Sequence, residues 1–267
     1  MSFGNTSPNV SFGNITANIS QGNITSTLAG APVLADFLIT GGGGRGGERG
    51  SLSCYMAYRS AAGNGGSGAV KFSYGSGATH TQQSFVAGTI YNIVVGGQAG
   101  TSSIIGGAID VRAGGGGQGG PTSNSTTTPG PLALPDAANG GYLGGNGGNR
   151  TNSYHRAGQG ANVTNSITGS SYVYGAIQPQ FYNNMSYSDV TYAPGGSTYG
   201  QGGRGGATYE NQCTQYRYIT GGGAGGVVIV RFLTSGNTYV TTGATATTDG
   251  DYTVLTWTSG TRTLKFT

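Results

Sequence analysis

Apolar runs that adjoin glycine runs are the clearest pattern along this chain. Val227–Val230 follows the glycine-rich residues 221–226, whereas Val33–Thr40 precedes the glycine-rich residues 41–47. The same junction recurs at Ile90–Gly97 and Ala108–Gly120. A short continuous run of β-branched residues is typical of a strand buried on both faces, and glycine is too unfavourable in helices for the adjoining runs to be helical. The pattern therefore predicts core strands that continue directly into glycine segments.

Shorter apolar or alternating stretches predict further strands on both sides of a glycine-rich middle region, and no segment has a helical period. Asn64-Gly65 predicts a hairpin turn between two of the early strands, and Ser259-Gly260 predicts one between the last two. Alternation places Trp257 on the inward face beside Leu255. The predicted strands are Val33–Thr40, Ser53–Tyr58, Ala69–Tyr74, Ser84–Val86, Ile90–Val95, Ala108–Arg112, Val227–Leu233, Thr238–Thr241, Tyr252–Thr258 and Thr261–Phe266.

Within the glycine segments, glycine often recurs at every third position. Chains in the polyproline-II conformation have three residues per turn and no internal hydrogen bonds, so neighbouring chains must satisfy their backbone groups. Crowded faces between such chains favour glycine. The spacing therefore favours packed polyglycine-II helices around Gly41, Gly44 and Gly47, around Gly114, Gly117 and Gly120, around Gly141, Gly144 and Gly147, and around Gly200, Gly203 and Gly206.

Composition bears on whether so glycine-rich a chain is ordered. The 267 residues include 56 glycines and 7% charged residues. Disorder is the alternative interpretation, but disordered chains are poor in aromatic residues, and this chain has 17 Tyr and 8 Phe. We therefore expect an all-β protein with a β-sandwich-like scaffold, an inserted polyglycine-II helix bundle, long apical loops and almost no α-helix. Its regions are residues 29–112 (first part of the scaffold), 113–226 (polyglycine rods with variable aromatic loops) and 227–267 (closing strands).

Residues 1–28 contain three nonapeptide repeats, in which Gly-Asn recurs at 4–5, 13–14 and 22–23 and an apolar residue ends each unit. A Gly-Asn turn followed by a short alternating stretch suggests one turn or strand per unit. Because three such units bury little surface, we expect this segment to dock on a partner as an attachment arm. A flexible, weakly repetitive N-terminus is the alternative. The residues expected to anchor the arm are Phe3, Phe12, Ile15 and Ile24.

Aromatic residues of the middle region concentrate in the segments between the glycine runs. Loops held on a rigid scaffold commonly carry recognition, and Tyr supplies a large contact area at low entropic cost. We therefore expect recognition to lie in loops 121–138, 150–156, 161–194 and 207–219. The candidate contact residues are Tyr154, Tyr172, Tyr174, Phe181, Tyr182, Tyr187, Tyr192, Tyr209 and Tyr216.

The sequence gives no support to catalytic, metal or cofactor chemistry. Glycine this dense produces dinucleotide-type motifs by chance, and neither lysine follows a glycine as a Walker-A motif requires. His80 and His155 have no neighbouring Cys or acidic cluster, so metal-ligand spacing is absent. Cys54 and Cys213 form no Cys-x-x-Cys motif. Two buried or unpaired thiols are favoured, and a disulfide between them stays open. We therefore expect no enzyme activity, no cofactor and no metal.

Nucleic-acid binding and membrane insertion are also disfavoured. The formal net charge is +4, but the arginines are scattered, whereas RNA-binding tails carry them in clusters. No apolar run approaches the roughly 20 residues of a membrane span. Met1–Ala17 lacks the basic start and apolar core of a secretory signal, so we expect synthesis in a cytoplasm, although the protein need not act there.

Gly221–Phe232 reads G-G-G-A-G-G-V-V-I-V-R-F and is the most specific motif of the chain. Together with Phe37–Gly47, Tyr91–Gly97 and the Thr-rich stretch Tyr252–Phe266, it resembles the glycine-rich domain of tailed-bacteriophage tail-fibre and receptor-binding adhesin proteins. The resemblance covers residues 31–267. It implies polyglycine-II helices that hold the loops between them against the bacterial surface. The four loops and their aromatic residues are thereby receptor-binding candidates.

Resemblance and loop composition together predict a virion receptor-binding adhesin that recognises a bacterial surface glycan or outer-membrane protein. Such a protein is displayed outside the cell and joins other fibre or tail proteins, here through residues 1–28. A homo-oligomer such as a trimer is in keeping with a repeat arm at one end. The alternative is a purely structural virion or extracellular component, such as a fibre segment, capsid decoration or filament subunit, in which the tyrosines join subunits.

Overall fold

The computed structural model describes residues 17–20, 23–26, 31–48, 59–121, 136–142, 158–177, 196–203, 207–211, 214–217 and 221–267. Strands make up nearly all the regular structure of these residues, which confirms the prediction of an all-β protein. The helical structure among them is a single 3-10 turn at Ala137–Asn139. Within the described ranges, no helix has the length and apolar character needed to cross a membrane.

The strands, in chain order, are β1 (Ala17–Ser20), β2 (Asn23–Ser26), β3 (Val33–Thr40), β4 (Arg59–Ala61), β5 (Val70–Phe72), β6 (Gln83–Phe85), β7 (Tyr91–Val95), β8 (Ser102–Gly106), β9 (Ile109–Ala113), β10 (Val163–Asn165), β11 (Tyr172–Tyr174), β12 (Ala207–Asn211), β13 (Thr214–Arg217), β14 (Val227–Leu233), β15 (Tyr239–Thr241), β16 (Thr245–Asp249), β17 (Tyr252–Trp257) and β18 (Gly260–Phe266).

Two larger sheets carry most of these strands. The six-stranded sheet has the order β16-β17-β14-β3-β5, with β6 also paired to β3, and the five-stranded sheet has the order β15-β18-β7-β8-β9. The smaller sheets are β1-β2, β10-β11 and β13-β12-β4. The central strands β3 and β14 have the bounds predicted from the sequence.

The central strands β3 and β14 of the six-stranded sheet are buried on both faces along most of their length, as their continuous apolar runs predict. Val228 and Val230 of β14 belong to a core cluster that contains residues of both larger sheets. We call the side of the six-stranded sheet that faces this cluster the inner face. The prediction that Trp257 packs beside Leu255 is confirmed, because both are fully buried in that cluster. Val227 and Ile229 point to the opposite side, the outer face, where they belong to a second cluster.

Each glycine segment hydrogen-bonds to several neighbouring segments, and it bonds to a given neighbour at every third residue. The amides of Gly41, Gly44 and Gly47 donate to the carbonyls of Ala69, Gly66 and Gly63. Between these positions, the amides of Gly43 and Gly46 donate to the carbonyls of Ala224 and Gly221, which belong to another segment. The segment at residues 63–69 bonds onward in the same way: its amides at Gly63, Gly66 and Ala69 donate to the carbonyls of Gly120, Gly117 and Gly114. The segments therefore form a layer held by backbone-to-backbone hydrogen bonds that lie outside the regular sheets.

Two turn predictions were wrong. β17 and β18 do not form a hairpin at Ser259-Gly260, since β17 pairs with β14 and β16, whereas β18 pairs with β7 and β15. The chain crosses there from one larger sheet to the other, and Gly260 has a φ of 77°. Asn64-Gly65 is not a hairpin turn either. It lies within a buried glycine segment, where the Gly65 amide donates to Gly203.

Several strands differ from the expectation. β8 and β16 were not predicted, because S-S-I-I-G and T-A-T-T-D have weak apolar patterns. The described part of the predicted loop 161–194 contains the β10-β11 hairpin. That of loop 207–219 contains β12 and β13, which pair with each other, and β12 also pairs with β4. The predicted strand 53–58, Cys54 and Cys213 lie outside the described residues.

Candidate functional site

The β10-β11 hairpin packs on the outer face of the six-stranded sheet. Its residues Ile167 and Tyr174 are buried there in a cluster with Leu38, Phe72 and Ile229. Burial of the hairpin's apolar side chains against the sheet provides the free energy that holds this short element in place. The hairpin therefore covers one end of the outer face and leaves the other end open.

A buried asparagine fixes the hairpin turn. The Asn165 amide nitrogen donates to the Tyr74 carbonyl at 2.7 Å, and the Asn165 side-chain oxygen accepts the Ile167 amide at 2.9 Å. Asn165 is 6% exposed, so both hydrogen bonds form away from water, where an unpaired polar group is costly. The turn is thereby tied to the strand edge beneath it.

Three tyrosine rings form a cluster on one flank of the hairpin. The rings of Tyr172 and Tyr174 are 5.0 Å apart and edge to face, and Tyr174 is stacked with Tyr199 at 6.4 Å. Tyr172 also lies 5.8 Å from Tyr199. Aromatic pairs at such distances attract one another beyond the area that they bury. Tyr172 is 37% exposed and Tyr174 is 2% exposed, so the buried ring supports the exposed one.

The tyrosine hydroxyls of this flank resist ionisation. Burial, with lesser contributions from Tyr172 and Tyr199, raises the pKa of Tyr174 to about 12. Burial also raises the pKa of Tyr172, with Tyr199 as a further cause. Desolvation disfavours the charged phenolate, so both hydroxyls are neutral hydrogen-bonding groups at physiological pH.

A buried arginine lies between two tyrosines on the other flank. The Arg231 guanidinium carbon is 3.6 Å from the centre of the Tyr252 ring and 4.8 Å from that of Tyr74. Its Nη2 donates to Asp249 Oδ2 at 3.1 Å. Arg231 is 8% exposed, whereas Tyr252 is 36% exposed. The guanidinium therefore braces one face of an exposed ring, which is a favourable cation–π arrangement.

The hairpin turn connects the two flanks. The Thr168 side chain lies near the Tyr174 hydroxyl and acts to lower its pKa. Gly169, at a φ of 84°, lies against Asp249, where a Cβ would come within 2.8 Å of Oδ1. We call the surface formed by Tyr172, Tyr199, Thr168, Asp249, Arg231 and Tyr252 the hairpin surface. It presents two exposed aromatic rings, each held by buried side chains.

The base of the hairpin is fixed to the glycine layer. The Gly175 amide donates to the Tyr199 carbonyl at 2.8 Å, and the Asn162 amide donates to the Gly175 carbonyl at 3.0 Å. The Ala161 amide donates to Ser67 Oγ at 3.1 Å. The hairpin surface is therefore carried by both the sheet and the glycine layer.

The structure separates the predicted receptor-binding residues. Tyr172 is 37% exposed. Tyr174 is buried, so in this structure it supports its neighbour and offers no contact face. Tyr209 and Tyr216 are register partners in β12 and β13. In the predicted arm, Ile24 lies in β2 opposite Ile19. Outside the described residues lie Tyr154, Phe181, Tyr182, Tyr187, Tyr192, Phe3, Phe12 and Ile15.

Sequence reasoning missed Tyr199, Tyr252, Arg231 and Asp249. The available signal was Arg231, a lone charge within the apolar run of β14, because a buried arginine requires partners. Asp249 carries no such signal, because Asp249-Gly250-Asp251 has the composition of a simple turn. Among the described residues, no group of three or more His, Cys, Asp or Glu side chains is arranged to hold a metal ion.

No family model, curated protein or solved structure matches the chain. The arrangement itself is suited to binding: exposed rings, neutral hydroxyls and one half-exposed carboxylate on a fixed base.

Proposed function

We propose that this protein is a receptor-binding adhesin of a virion, of the kind carried on bacteriophage tail fibres or appendages, and that the hairpin surface contacts the receptor. The receptor is a bacterial surface glycan or an outer-membrane protein. Residues 1–28, whose β1-β2 hairpin takes residues from the end of the second repeat and from the third, join the protein to other virion components. This proposal extends the sequence resemblance to a specific surface.

The observation that carries the proposal is the bracing of Tyr172 and Tyr252. Each ring is more than one-third exposed and rests on a buried group, Tyr174 or Arg231. A side chain fixed before binding loses less conformational entropy when its ligand arrives. Exposed tyrosines that are already ordered are therefore effective contact residues.

The glycine layer supports the proposal through its rigidity. We propose that its segments are packed polyglycine-II helices and that the two larger sheets form a β-sandwich-like scaffold beside them. Hydrogen bonds at every third residue, as at Gly41, Gly44 and Gly47, are those expected of threefold helices that share their backbone groups with several neighbours. A frame of this kind holds the aromatic surface in one geometry.

Binding to cells tests the proposal directly. Purified full-length protein is labelled, titrated onto intact candidate host cells, and then used to compete with virus adsorption. We expect saturable binding and blocking, and a loss of at least about tenfold in affinity for the double variant Tyr172→Ala/Tyr252→Ala, in line with aromatic anchors at interfaces.

Val240→Ala is the matched control, because Val240 is 62% exposed on β15 of the five-stranded sheet. Its binding should equal that of the parent protein. Unchanged binding by the double variant, with a native melting temperature, would remove the hairpin surface from the receptor contact. Failure of the parent protein to bind any host or block adsorption would overturn the adhesin function itself.

A second candidate is a purely structural virion or extracellular role. The exposed apolar side chains Leu34, Leu233 and Val240 favour it, since such residues suit contacts between subunits. Sedimentation of the purified protein decides between the adhesin role and the structural role. The structural role is supported if the protein forms ordered assemblies, if Leu34→Ser or Val240→Ser abolishes them, and if the protein does not bind cells.

A further inference from the structure

The end of the outer face that the hairpin leaves open carries an exposed row across three strands. Leu233 of β14 pairs with Tyr252 of β17, and Tyr252 pairs with Asp249 of β16. Leu233 and Tyr252 are 44% and 36% exposed, and the Asp249 side chain is 32% exposed. An apolar side chain, an aromatic ring and a carboxylate therefore lie side by side.

The carboxylate of Asp249 retains an acceptor oxygen. Arg231 donates to Oδ2, and within the described part of the chain Oδ1 takes no hydrogen bond. Gly169 of the hairpin turn lies against Oδ1, where an added Cβ would come within 2.8 Å, yet 32% of the Asp249 side chain is exposed. A hydroxyl that approaches from the exposed side can donate to Oδ1.

Charge decides which ligand fits this row. The Arg231 charge is already paired with Asp249 and its side chain is 9% exposed. Asp36, opposite Arg231 across β3 and β14, is buried, whereas Asp251 adds an exposed carboxylate in the turn before Tyr252. The accessible charge is therefore negative, which disfavours acidic ligands, whereas neutral hydroxyls are donors to carboxylates.

From this geometry we propose that Tyr252, Asp249 and Leu233 form a subsite for a neutral sugar ring. The apolar C–H face of the sugar stacks on Tyr252 and contacts Leu233, and one hydroxyl donates to Asp249 Oδ1. The Arg231 Nε, buried and without a partner among the described residues, belongs to the base that holds the ring and carboxylate together. The inference rests on the adhesin function and narrows its receptor to a neutral glycan.

An array of immobilised oligosaccharides tests the subsite. Its neutral members contain glucose, galactose, mannose or rhamnose, and its acidic members are sialylated or sulfated. We expect the full-length protein to bind neutral members and to bind acidic ones at least tenfold more weakly. Tyr252→Ala and Asp249→Asn should each weaken binding about tenfold or more, because one removes the stacking face and the other the charged acceptor.

Three further variants separate a contact from a structural effect. Tyr252→Phe retains the ring and should bind like the parent protein, as should Val240→Ala on the other sheet. Leu34→Ser alters an exposed apolar residue of β3 beyond the proposed subsite, so it should leave sugar binding unchanged. Melting temperatures close to that of the parent show that each variant is folded.

The outcomes distinguish the subsite from the function beneath it. Binding to acidic members alone, or a folded Tyr252→Ala that binds normally, overturns the subsite. A further outcome also overturns the subsite: the protein binds no glycan, and its binding to cells is abolished by protease treatment of the cells or by Leu34→Ser. The receptor is then a protein. If the parent protein binds neutral glycans, the variants Tyr252→Ala and Asp249→Asn lose that binding, and no cell is bound, the subsite is supported while the adhesin function fails.

Discussion

The amide of Gly44 donates to the carbonyl of Gly66 at 2.8 Å, and the Gly44 Cα lies directly against the Gly117 carbonyl, with no room for a Cβ. Three glycine segments therefore meet at one residue. We expect Gly44→Ala to lower the free energy of unfolding by about 3 kcal/mol, since overpacking against backbone forces the segments apart. Urea denaturation followed by tyrosine fluorescence measures the change.

Gly222→Ala is the matched control for that substitution. Gly222 belongs to a glycine segment of the same layer but is exposed, and the nearest atom to an added Cβ is Gln98 Oε1 at 3.9 Å. The free energy of unfolding of the Gly222→Ala variant should stay within about 0.5 kcal/mol of the parent value or rise slightly. Equal effects at both positions would show that close backbone approach does not hold the layer together.

Ser102 connects a strand to the glycine layer. Its Oγ accepts the Gly96 amide at 2.9 Å and donates to the Thr40 carbonyl at 2.8 Å, and the residue is fully buried. Ser102→Ala leaves the Gly96 amide without its acceptor, so we expect a loss of about 2 kcal/mol in the same denaturation measurement. Ser84→Ala, at an exposed position of β6, should cost less than about 0.5 kcal/mol.

Alkaline pH should act on the protein through Tyr174. Its pKa rises in the folded state to about 12, with burial as the main cause, whereas in the unfolded chain it is about 10. The folded state thus binds the proton more tightly, and the stability linked to it is complete below about pH 10 and is lost as pH rises towards 12. Urea midpoints between pH 9 and 12 should therefore fall less in Tyr174→Phe than in the parent protein. Parallel curves would contradict the burial of this hydroxyl.

Hydrogen exchange should reveal the glycine layer as a stable unit. The amides of Gly44, Gly66 and Gly117 are hydrogen-bonded and buried although they lie outside the regular strands. We expect them to exchange as slowly as the amide of Ile229 in β14, since all open with global unfolding. The amide of Gly236, in an exposed turn, is the fast-exchanging reference. Rapid exchange at the three glycines would show that the layer opens separately from the sheets.

Local pattern was sufficient to predict the centre of the fold. Val33–Thr40 and Val227–Leu233 are continuous apolar runs, and a strand buried on both faces needs no partner information to be recognised. Alternation likewise placed Trp257 beside Leu255. The all-β class follows from these segments and from the absence of any helical period.

Pairing between distant strands could not be predicted in the same way. Ser259-Gly260 has the composition of a hairpin turn, yet the chain changes sheet there, because β18 finds β7 about 170 residues earlier in the chain. The candidate site was missed for the same reason. Arg231, Asp249 and Tyr252 become neighbours through the register of β14, β16 and β17, and no local motif signals that register.

The strand order also has a consequence for synthesis. β14 lies between β3 and β17, and β18 lies between β7 and β15, so both larger sheets are completed by strands from residues 227–266. β3 and β7 leave the ribosome much earlier and must keep one edge unpaired until those strands emerge. Exposed strand edges invite association with other nascent chains. Production of this protein should therefore respond to translation rate and to chaperones that bind unfolded chains.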